Sequence, residues 1–374
     1  MNDRQSGLAV YVTSHGFGHL NRTVAVLNQI KNDIPIYIRC HSNLFDHWRE
    51  RLIRPAEFGS YVSDAGALNP AGDSRATDGR GTLEHAEAVH REAYRRIDDE
   101  IDWLRANRVG AVLCDAPPVP LVAAKRATIP AFLLANFTWA DIYEPHARRI
   151  GPGAMAFVRS VRNDYRSATI LFRALPALAM RRVAPTIDVG MVVTPGNHRK
   201  AEIKALFGLK NEEKVVYFYI GRYGQANLNW DRLERAGERG IHFVGFHAAP
   251  VGRATNFHVV RATEWTGADL AASADVIVAK AGYGTVCEAM AAGVPIIYPP
   301  RVGFAEHRAL DRALRVWGGG TAVSARDFEE LRLDRAFDSA FSVRPGPPPF
   351  SSEGASLVAR RLLETLRGTS SGSL

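Results

Sequence analysis

The stretch D-V-I-V-A-K-A-G-Y-G-T-V-C-E, Asp275 to Glu288, decides how this chain is read. Val276, Ile277 and Val278 form a short β-branched run suited to a buried strand. A glycine-bearing turn follows, and a helix starts near Thr285. A strand, a Gly-x-Gly turn and a helix N-terminus together make an anion site. The first helical turn leaves backbone N–H groups unpaired, and the helix dipole adds partial positive charge there. Gly282 and Gly284 can take φ > 0 and let a phosphate approach the backbone where a Cβ would obstruct it. Glu288 lies one turn into the helix, where a carboxylate reaches the ribose hydroxyls of a nucleotide. The competing reading is that the two glycines only shape a tight turn and Glu288 favours the helix start.

The same grammar recurs near the beginning. Leu8 to Thr13 is an apolar run for a central parallel strand, and it ends in S-H-G-F-G-H-L-N-R, Ser14 to Arg22. This is a strand, a glycine loop and a helix, but the third glycine of a dinucleotide fingerprint is missing and no acidic residue follows at the required distance. Nicotinamide cofactor binding is therefore not expected. The loop offers His19 at a helix start, with an imidazole suited to general base work. His15 and His41 stand at neighbouring strand ends. Asp115 closes the strand Val109 to Cys114 and points to the same edge, where it can orient the His19 imidazole; capping of its own loop is the plainer role. Asn136 to Tyr143, N-F-T-W-A-D-I-Y, brings aromatics that either line a cleft or pack.

Beyond residue 195 a second α/β pattern begins. Val215 to Ile220 is a strand ending in G-R-Y-G, Gly221 to Gly224, where Arg222 is a phosphate donor candidate. Ile241 to Phe246 and Phe257 to Val260 are further strands. Trp265 follows in a loop, placed to stack on a nucleobase or to cover the core edge. After the opening stretch come the strand Val294 to Pro300 and a loop carrying Glu306 and His307 just before a helix. That pair suits hydroxyl recognition, with N-terminal capping as the alternative.

At 374 residues the chain suits two domains. We expect an N-terminal domain over 1–195, a second over 196–350, a closing helix over 351–367 that returns to the first, and a disordered tail over 368–374. Thr82 to Asn107 reads as one long helix. Gly66 to Gly81 reads as a long loop. Three separated cysteines give neither a disulfide framework nor a zinc site and fit a reducing compartment. With Met1 to Gly7 polar and Leu8 to Thr13 short, a signal peptide is not expected, and no stretch reaches the ~18 apolar residues of a membrane span. The net charge of +8 comes mostly from arginine, without a lysine/arginine block interleaved with aromatics, so nucleic acid is not an expected partner. Arg159, Arg162 and Arg166 recur at helical spacing; a solvated face is the default and membrane-surface contact the alternative.

Two α/β halves, each with a glycine loop at a strand edge, resemble the GT-B glycosyltransferases. A-K-A-G-Y-G-T-V-C-E-A-M-A-A-G-V-P resembles the donor signature of glycosyltransferase family 28, which includes the UDP-GlcNAc transferase of peptidoglycan synthesis. S-H-G-F-G-H with K-x-G-Y-G-T-x-x-E is similar to the glycosyltransferase-like N-terminal region of L-arabinokinases. The resemblance implies two Rossmann-like domains facing a central cleft. It implies a metal-independent, inverting transfer from a nucleotide sugar, with a UDP-sugar expected, to an acceptor hydroxyl. It places the diphosphate on Gly282, Tyr283, Gly284 and Thr285, the ribose on Glu288, the donor sugar on Glu306 and His307, and the base at the backbone around Trp265. His19 becomes the catalytic base and Asp115 its acidic partner. Lys280, Arg222 and the helix terminus at Gly284 take the charge that develops on the leaving group. Lys280 stands where the peptidoglycan enzymes commonly carry arginine, and His307-Arg308 replaces their His-Gln. No cofactor and no Asp-x-Asp metal motif is implied. The acceptor, a small molecule, glycan or lipid-linked group, is left open. The expected location is cytoplasmic, with contact at the inner membrane face as an option. Hydrolysis or 2-epimerisation of a nucleotide sugar, and a non-catalytic sugar-nucleotide module, are the alternatives.

Overall fold

A computed structural model describes residues 6–31, 33–69, 77–220, 228–247 and 254–370. Among these, residues up to 68, 78–192 and 350 onward form one compact unit, and residues 69, 77 and 193–349 form a second.

The first unit holds strands β1 (Gly7–Val12), β2 (Ile36–Cys40), β3 (Glu57–Ser60), β4 (Val109–Asp115), β5 (Ala131–Ala135), β6 (Ile170–Ala174) and β7 (Thr186–Gly190). They pair in the order β3-β2-β1-β4-β5-β6-β7, parallel throughout. All six residues of β1 and all five of β5 are buried, which is why these strands read as continuous apolar runs rather than alternating ones. Its helices are α1 (Phe17–Leu27), α2 (Phe45–Arg51), α3 (Gly79–Arg95), α4 (Ile97–Ala106), α5 (Val119–Arg126), α6 (Trp139–Ile150) and α7 (Pro152–Tyr165).

The second unit begins with α8 (Lys200–Phe207) and contains β8 (Lys214–Tyr219), α9 (Asp231–Gly237), β9 (Ile241–Gly245), β10 (Phe257–Val259), α10 (Gly267–Ser273) and β11 (Val276–Ala279). It continues through α11 (Tyr283–Ala292), β12 (Ile296–Tyr298), α12 (His307–Trp317), β13 (Gly320–Ala322), α13 (Ala325–Glu329) and α14 (Asp334–Ser342). The sheet order is β10-β9-β8-β11-β12-β13, again all parallel. Phe218, Trp230, Phe243, Val278, Ile297 and Phe337 meet in its core. The last helix, α15 (Gly354–Ser370), lies against α1, β4 and β7 of the first unit. Its Ala355, Val358, Ala359, Leu362 and Leu366 are buried at helical spacing.

Two expectations change. The single helix over 82–107 is two helices, broken at Arg96 with φ −105° and ψ 10°. The break lets α4 carry Glu100 into the interior, where Tyr11 and Arg39 bind its carboxylate. The helix expected to end before residue 368 continues to Ser370, so residues 368–370 are helical and only 371–374 fall outside the described chain.

Candidate functional site

Each sheet reverses its strand order once, at β1 and β4 in the first unit and at β8 and β11 in the second. In open parallel sheets the loops flanking such a reversal part and leave a crevice beyond the strand C-termini. His19 and Asp115 lie at the first reversal. Lys280 to Thr285 lie at the second.

In the first unit Val12 of β1 pairs with Asp115 of β4, and the Thr13 N–H donates to the Asp115 carbonyl at 3.2 Å. Gly16 turns the chain at φ 81°, α1 starts at Phe17, and His19 falls in its first turn. His19 Nδ1 lies 2.7 Å from Asp115 Oδ1. An ionised carboxylate at that distance favours the tautomer with its proton on Nδ1 and its lone pair on Nε2. Asp115 has further donors: Arg22 Nε at 2.9 Å, Arg22 Nη2, and Thr23 Oγ1 at 2.8 Å. Arg22 in turn donates from Nη1 to Asn136 Oδ1 at 2.7 Å, and its Nη2 is 3.1 Å from His19 Nδ1. Burial alone would raise the Asp115 carboxyl, but Arg22 and then His19 outweigh it and hold the group at about 2.

Aromatic side chains wall this cluster. Phe137 and Trp139 lie edge-on and tilted against His19, and His15 packs edge-on to Trp139. Both aromatics are buried, so they pack around the imidazoles rather than stand open. Trp139 Nε1 donates to Asp64 Oδ2 at 2.5 Å. Burial pushes the Asp64 carboxyl up to about 6, against the hydrogen bonds from Thr13 and Trp139. His15 fits because residue 66 is glycine: a Cβ there would come within 1.8 Å of His15 Nδ1. His41 does not join the group; its Nδ1 accepts from Asn43 N and caps a short turn.

In the second unit β11 delivers Lys280 and then the start of α11. The N-cap of α11 is Gly282 at φ −111° and ψ 155°, which brings no capping side chain of its own. The positive φ open to glycine is used at neither position: Gly282 is extended and Gly284 helical. What glycine provides here is space, since a Cβ at either position would meet no atom within 4 Å. The Tyr283 and Thr285 side chains are buried. Burial lowers the Lys280 ammonium to about 8, and repulsion from Arg301 adds to this against the pull of Glu306.

Glu288 stands beside the start of α10. A Cβ on Gly267 would lie 3.3 Å from the Tyr217 hydroxyl and 3.6 Å from Glu288 Oε2. Burial raises the Glu288 carboxyl to about 7. Trp265 precedes this helix, but its ring is 3% exposed and the Arg199 guanidinium covers one face at 3.7 Å. Stacking of that ring on a base is thereby corrected: the face is taken, and only the backbone of the loop is left for a base. Glu306 is the N-cap residue of α12 and His307 its first residue. Burial lowers the His307 imidazole, and its Nδ1 is buried without a hydrogen bond among the described residues. Arg222 lies outside the described residues.

Four residues in these clusters were not singled out from sequence. Arg22 had a signal, three positions after His19 and so on the same helix face. Asn136 opens the quoted stretch N-F-T-W-A-D-I-Y and Arg301 lies in the loop before Glu306, but neither belongs to a periodic pattern. Asp64 lies in a segment without any motif.

No family model matches the chain. It is 26% identical over 342 residues to an L-arabinokinase of Arabidopsis thaliana, across 90% of this chain and 32% of that protein. It is 30% identical over 162 residues to a UDP-N-acetylglucosamine--N-acetylmuramyl-(pentapeptide) pyrophosphoryl-undecaprenol N-acetylglucosamine transferase of Clavibacter michiganensis, across 40% of this chain and 41% of that one. The chain thus spans a third to two fifths of the length of these relatives. Among solved structures, the spinosyn rhamnosyltransferase superposes with a TM-score of 0.63 at 14% identity, covering 98% of both chains. A Phytolacca americana protein complexed with UDP-2-fluoro-glucose and pterostilbene gives 0.63 at 13% identity, over 98% of this chain and 94% of that one. The fold is that of the GT-B glycosyltransferases.

Proposed function

We propose that the chain is a glycosyltransferase that moves a sugar from a nucleoside-diphosphate sugar, a UDP-sugar by preference, to an acceptor hydroxyl. The observation that carries this reading is the uncapped start of α11 at the strand reversal, with Lys280 before it, Glu288 within it and open space over Gly282 and Gly284. An uncapped N-terminus beside a lysine is built for an anion, and a carboxylate nearby for hydroxyls.

The roles follow from the chemistry. The diphosphate lies on the backbone from Gly282 to Thr285 with Lys280, and Arg222 is the further phosphate donor expected from sequence. Glu288 accepts from the ribose hydroxyls. The backbone at Trp265 meets the base, and Glu306 and His307 meet the donor sugar. In the first unit His19 Nε2 takes the proton of the acceptor hydroxyl as the acceptor oxygen bonds to the anomeric carbon. The bond from that carbon to the diphosphate breaks with its electron pair on the leaving oxygen. Asp115 stays ionised and holds Nδ1–H, steadying the imidazolium that forms. Attack opposite the leaving group inverts the anomeric centre. Lys280 and the α11 terminus stabilise the leaving charge, so the reading needs no metal.

Support comes from the GT-B fold, from the likeness to the Clavibacter transferase, and from the His19–Asp115 contact. A second reading, a sugar-nucleotide-binding module without transfer, is favoured by the likeness to L-arabinokinase over 90% of this chain. Melting shifts with UDP, GDP, dTDP and their sugars, with and without EDTA, test the donor site. Full occupancy at ~100 times the dissociation constant stabilises by about 2.7 kcal/mol. A shift that EDTA does not change supports the reading; no shift with any nucleotide overturns it. Release of free diphosphate that depends on an acceptor and is lost in His19→Ala separates transfer from hydrolysis, epimerisation and mere binding.

A further inference from the structure

The loop after β12 holds a cation whose surroundings do not account for it. The Arg301 side chain is 10% exposed, and its Nε is buried with no hydrogen bond among the described residues. Its guanidinium lies 4.1 Å above the Phe304 ring. Its ion pair is loose, Nη1 to Glu306 Oε2 at 3.7 Å, well beyond the ~2.8 Å of a charge-assisted hydrogen bond. Lys280 is a second cation close enough for the two to repel, and Glu306 is the carboxylate that both feel. Two partly desolvated cations facing one carboxylate, which touches Arg301 only at 3.7 Å, carry a net positive charge that burial penalises. Such an arrangement persists where an anion completes it. The neighbouring feature that attracts an anion is the uncapped N-terminus of the ten-residue helix α11.

We propose that Arg301 is a donor-binding residue that, with Lys280, holds the second phosphate of the nucleoside diphosphate, the one whose oxygen leaves the sugar. The proposal rests on the reading of α11 as the diphosphate site and adds to it a fork-shaped cation that sequence periodicity does not reveal. When the bond to the anomeric carbon breaks, its electron pair passes to the oxygen of that second phosphate, and the added charge falls between Lys280 and Arg301. Lysine supplies a point charge there, and arginine can bind two oxygens of one phosphate at once.

The test compares each diphosphate with its own monophosphate, so that base and ribose contacts cancel. Affinities of UDP and UMP, GDP and GMP, and dTDP and dTMP are measured calorimetrically on the full chain, on Arg301→Gln and on Arg301→Lys. Loss of a hydrogen bond to a charged group is expected to weaken diphosphate binding about 10- to 100-fold in Arg301→Gln. The monophosphate should change by less than about 3-fold. Arg301→Lys keeps the charge but not the fork and should fall between wild type and Arg301→Gln; it also decides the matter if Arg301→Gln does not fold. Equal losses for mono- and diphosphate, or no loss for either, overturn the role of Arg301 while leaving the α11 site intact. Absence of binding to the unaltered chain by any of the six nucleotides overturns both.

Discussion

Two carboxylates at the strand reversals are pushed in opposite directions, and each makes a prediction. Asp115 is held at about 2 where an ordinary aspartate stands at 3.8. A depressed carboxylate contributes stability that is present above its unfolded value and is lost as pH falls through its folded one. The difference is about 2 kcal/mol, lost between about pH 4 and pH 2. Asp115→Asn should remove that acid limb from a melting curve taken against pH. It should also lower stability at pH 7 by about 3 kcal/mol, because Arg22 is left buried without its anion. Glu288 is raised to about 7 from 4.5. Its contribution is fully present below the unfolded value and is lost as pH rises through the folded one, so above pH 7 the ionised group burdens the fold. Glu288→Gln should therefore raise the melting point at pH 8 and barely change it at pH 4, with a gain of about 1–3 kcal/mol. The same variant should bind UDP about 10-fold more weakly, since a neutral amide accepts the ribose hydroxyls less well. A variant less stable at pH 8 would remove the argument that this carboxylate is kept at a cost for a ligand. His19, Asp115, Lys280 and Glu288 were all legible in the sequence because each stands at a fixed offset from a strand end or a glycine turn. Arg301 and Asp64 were not, because their significance comes from what burial does to them and not from spacing.

At the scale of elements, strand, glycine turn and helix were readable because buried parallel strands are apolar throughout and their loops carry glycine. The boundaries were less so. The run from residue 82 to 107 keeps helical periodicity across Arg96, so the break there carries no signal in the sequence; the segment after it places Glu100 on Tyr11 and Arg39. The edge strand β7 went unread because Pro185 precedes it and three of its five residues are not buried. Of the two reasons for glycine in the α11 turn, open space holds and positive φ does not. That difference can be measured. Gly284 is already helical, so Gly284→Ala requires no strained backbone and should stabilise the fold by about 0.5 kcal/mol or more. Its new methyl points into the space proposed for the phosphate, so UDP affinity should fall about 10-fold as the melting point rises. Had the glycine been kept for its dihedral angle, the same change would lower the melting point, and differential scanning calorimetry distinguishes the two.

For the whole molecule, the return of the chain to its starting unit matters more than the net charge. The arginine stripe on α7 is partly neutralised, since Arg162 donates to Glu144 at 2.7 Å, which weakens the case for a membrane-facing surface. The return of α15 is instead fixed by close packing. Gly354 begins the helix where a Cβ would lie 2.5 Å from the Met191 carbonyl and 2.7 Å from that of Val189, so the chain can cross β7 only with glycine there. The helix then buries Ala355, Val358, Ala359, Leu362 and Leu366 against α1, β4 and β7. At ~1.5–3 kcal/mol for each large apolar side chain, Val358, Leu362 and Leu366 alone contribute about 5–9 kcal/mol, the order of a domain's entire stability. Truncation after Pro349 should therefore unfold the first unit while the second still melts cooperatively. Calorimetry of the truncated chain should show one transition in place of two, with the UDP-induced shift retained by the survivor, because Lys280, Glu288 and Arg301 all belong to the second unit. Gly354→Ala should give a milder form of the same result, lowering the first unit's transition and leaving nucleotide binding unchanged. If the truncated chain kept both transitions, the buried face of α15 would not support the first unit, and its apolar spacing would need another cause.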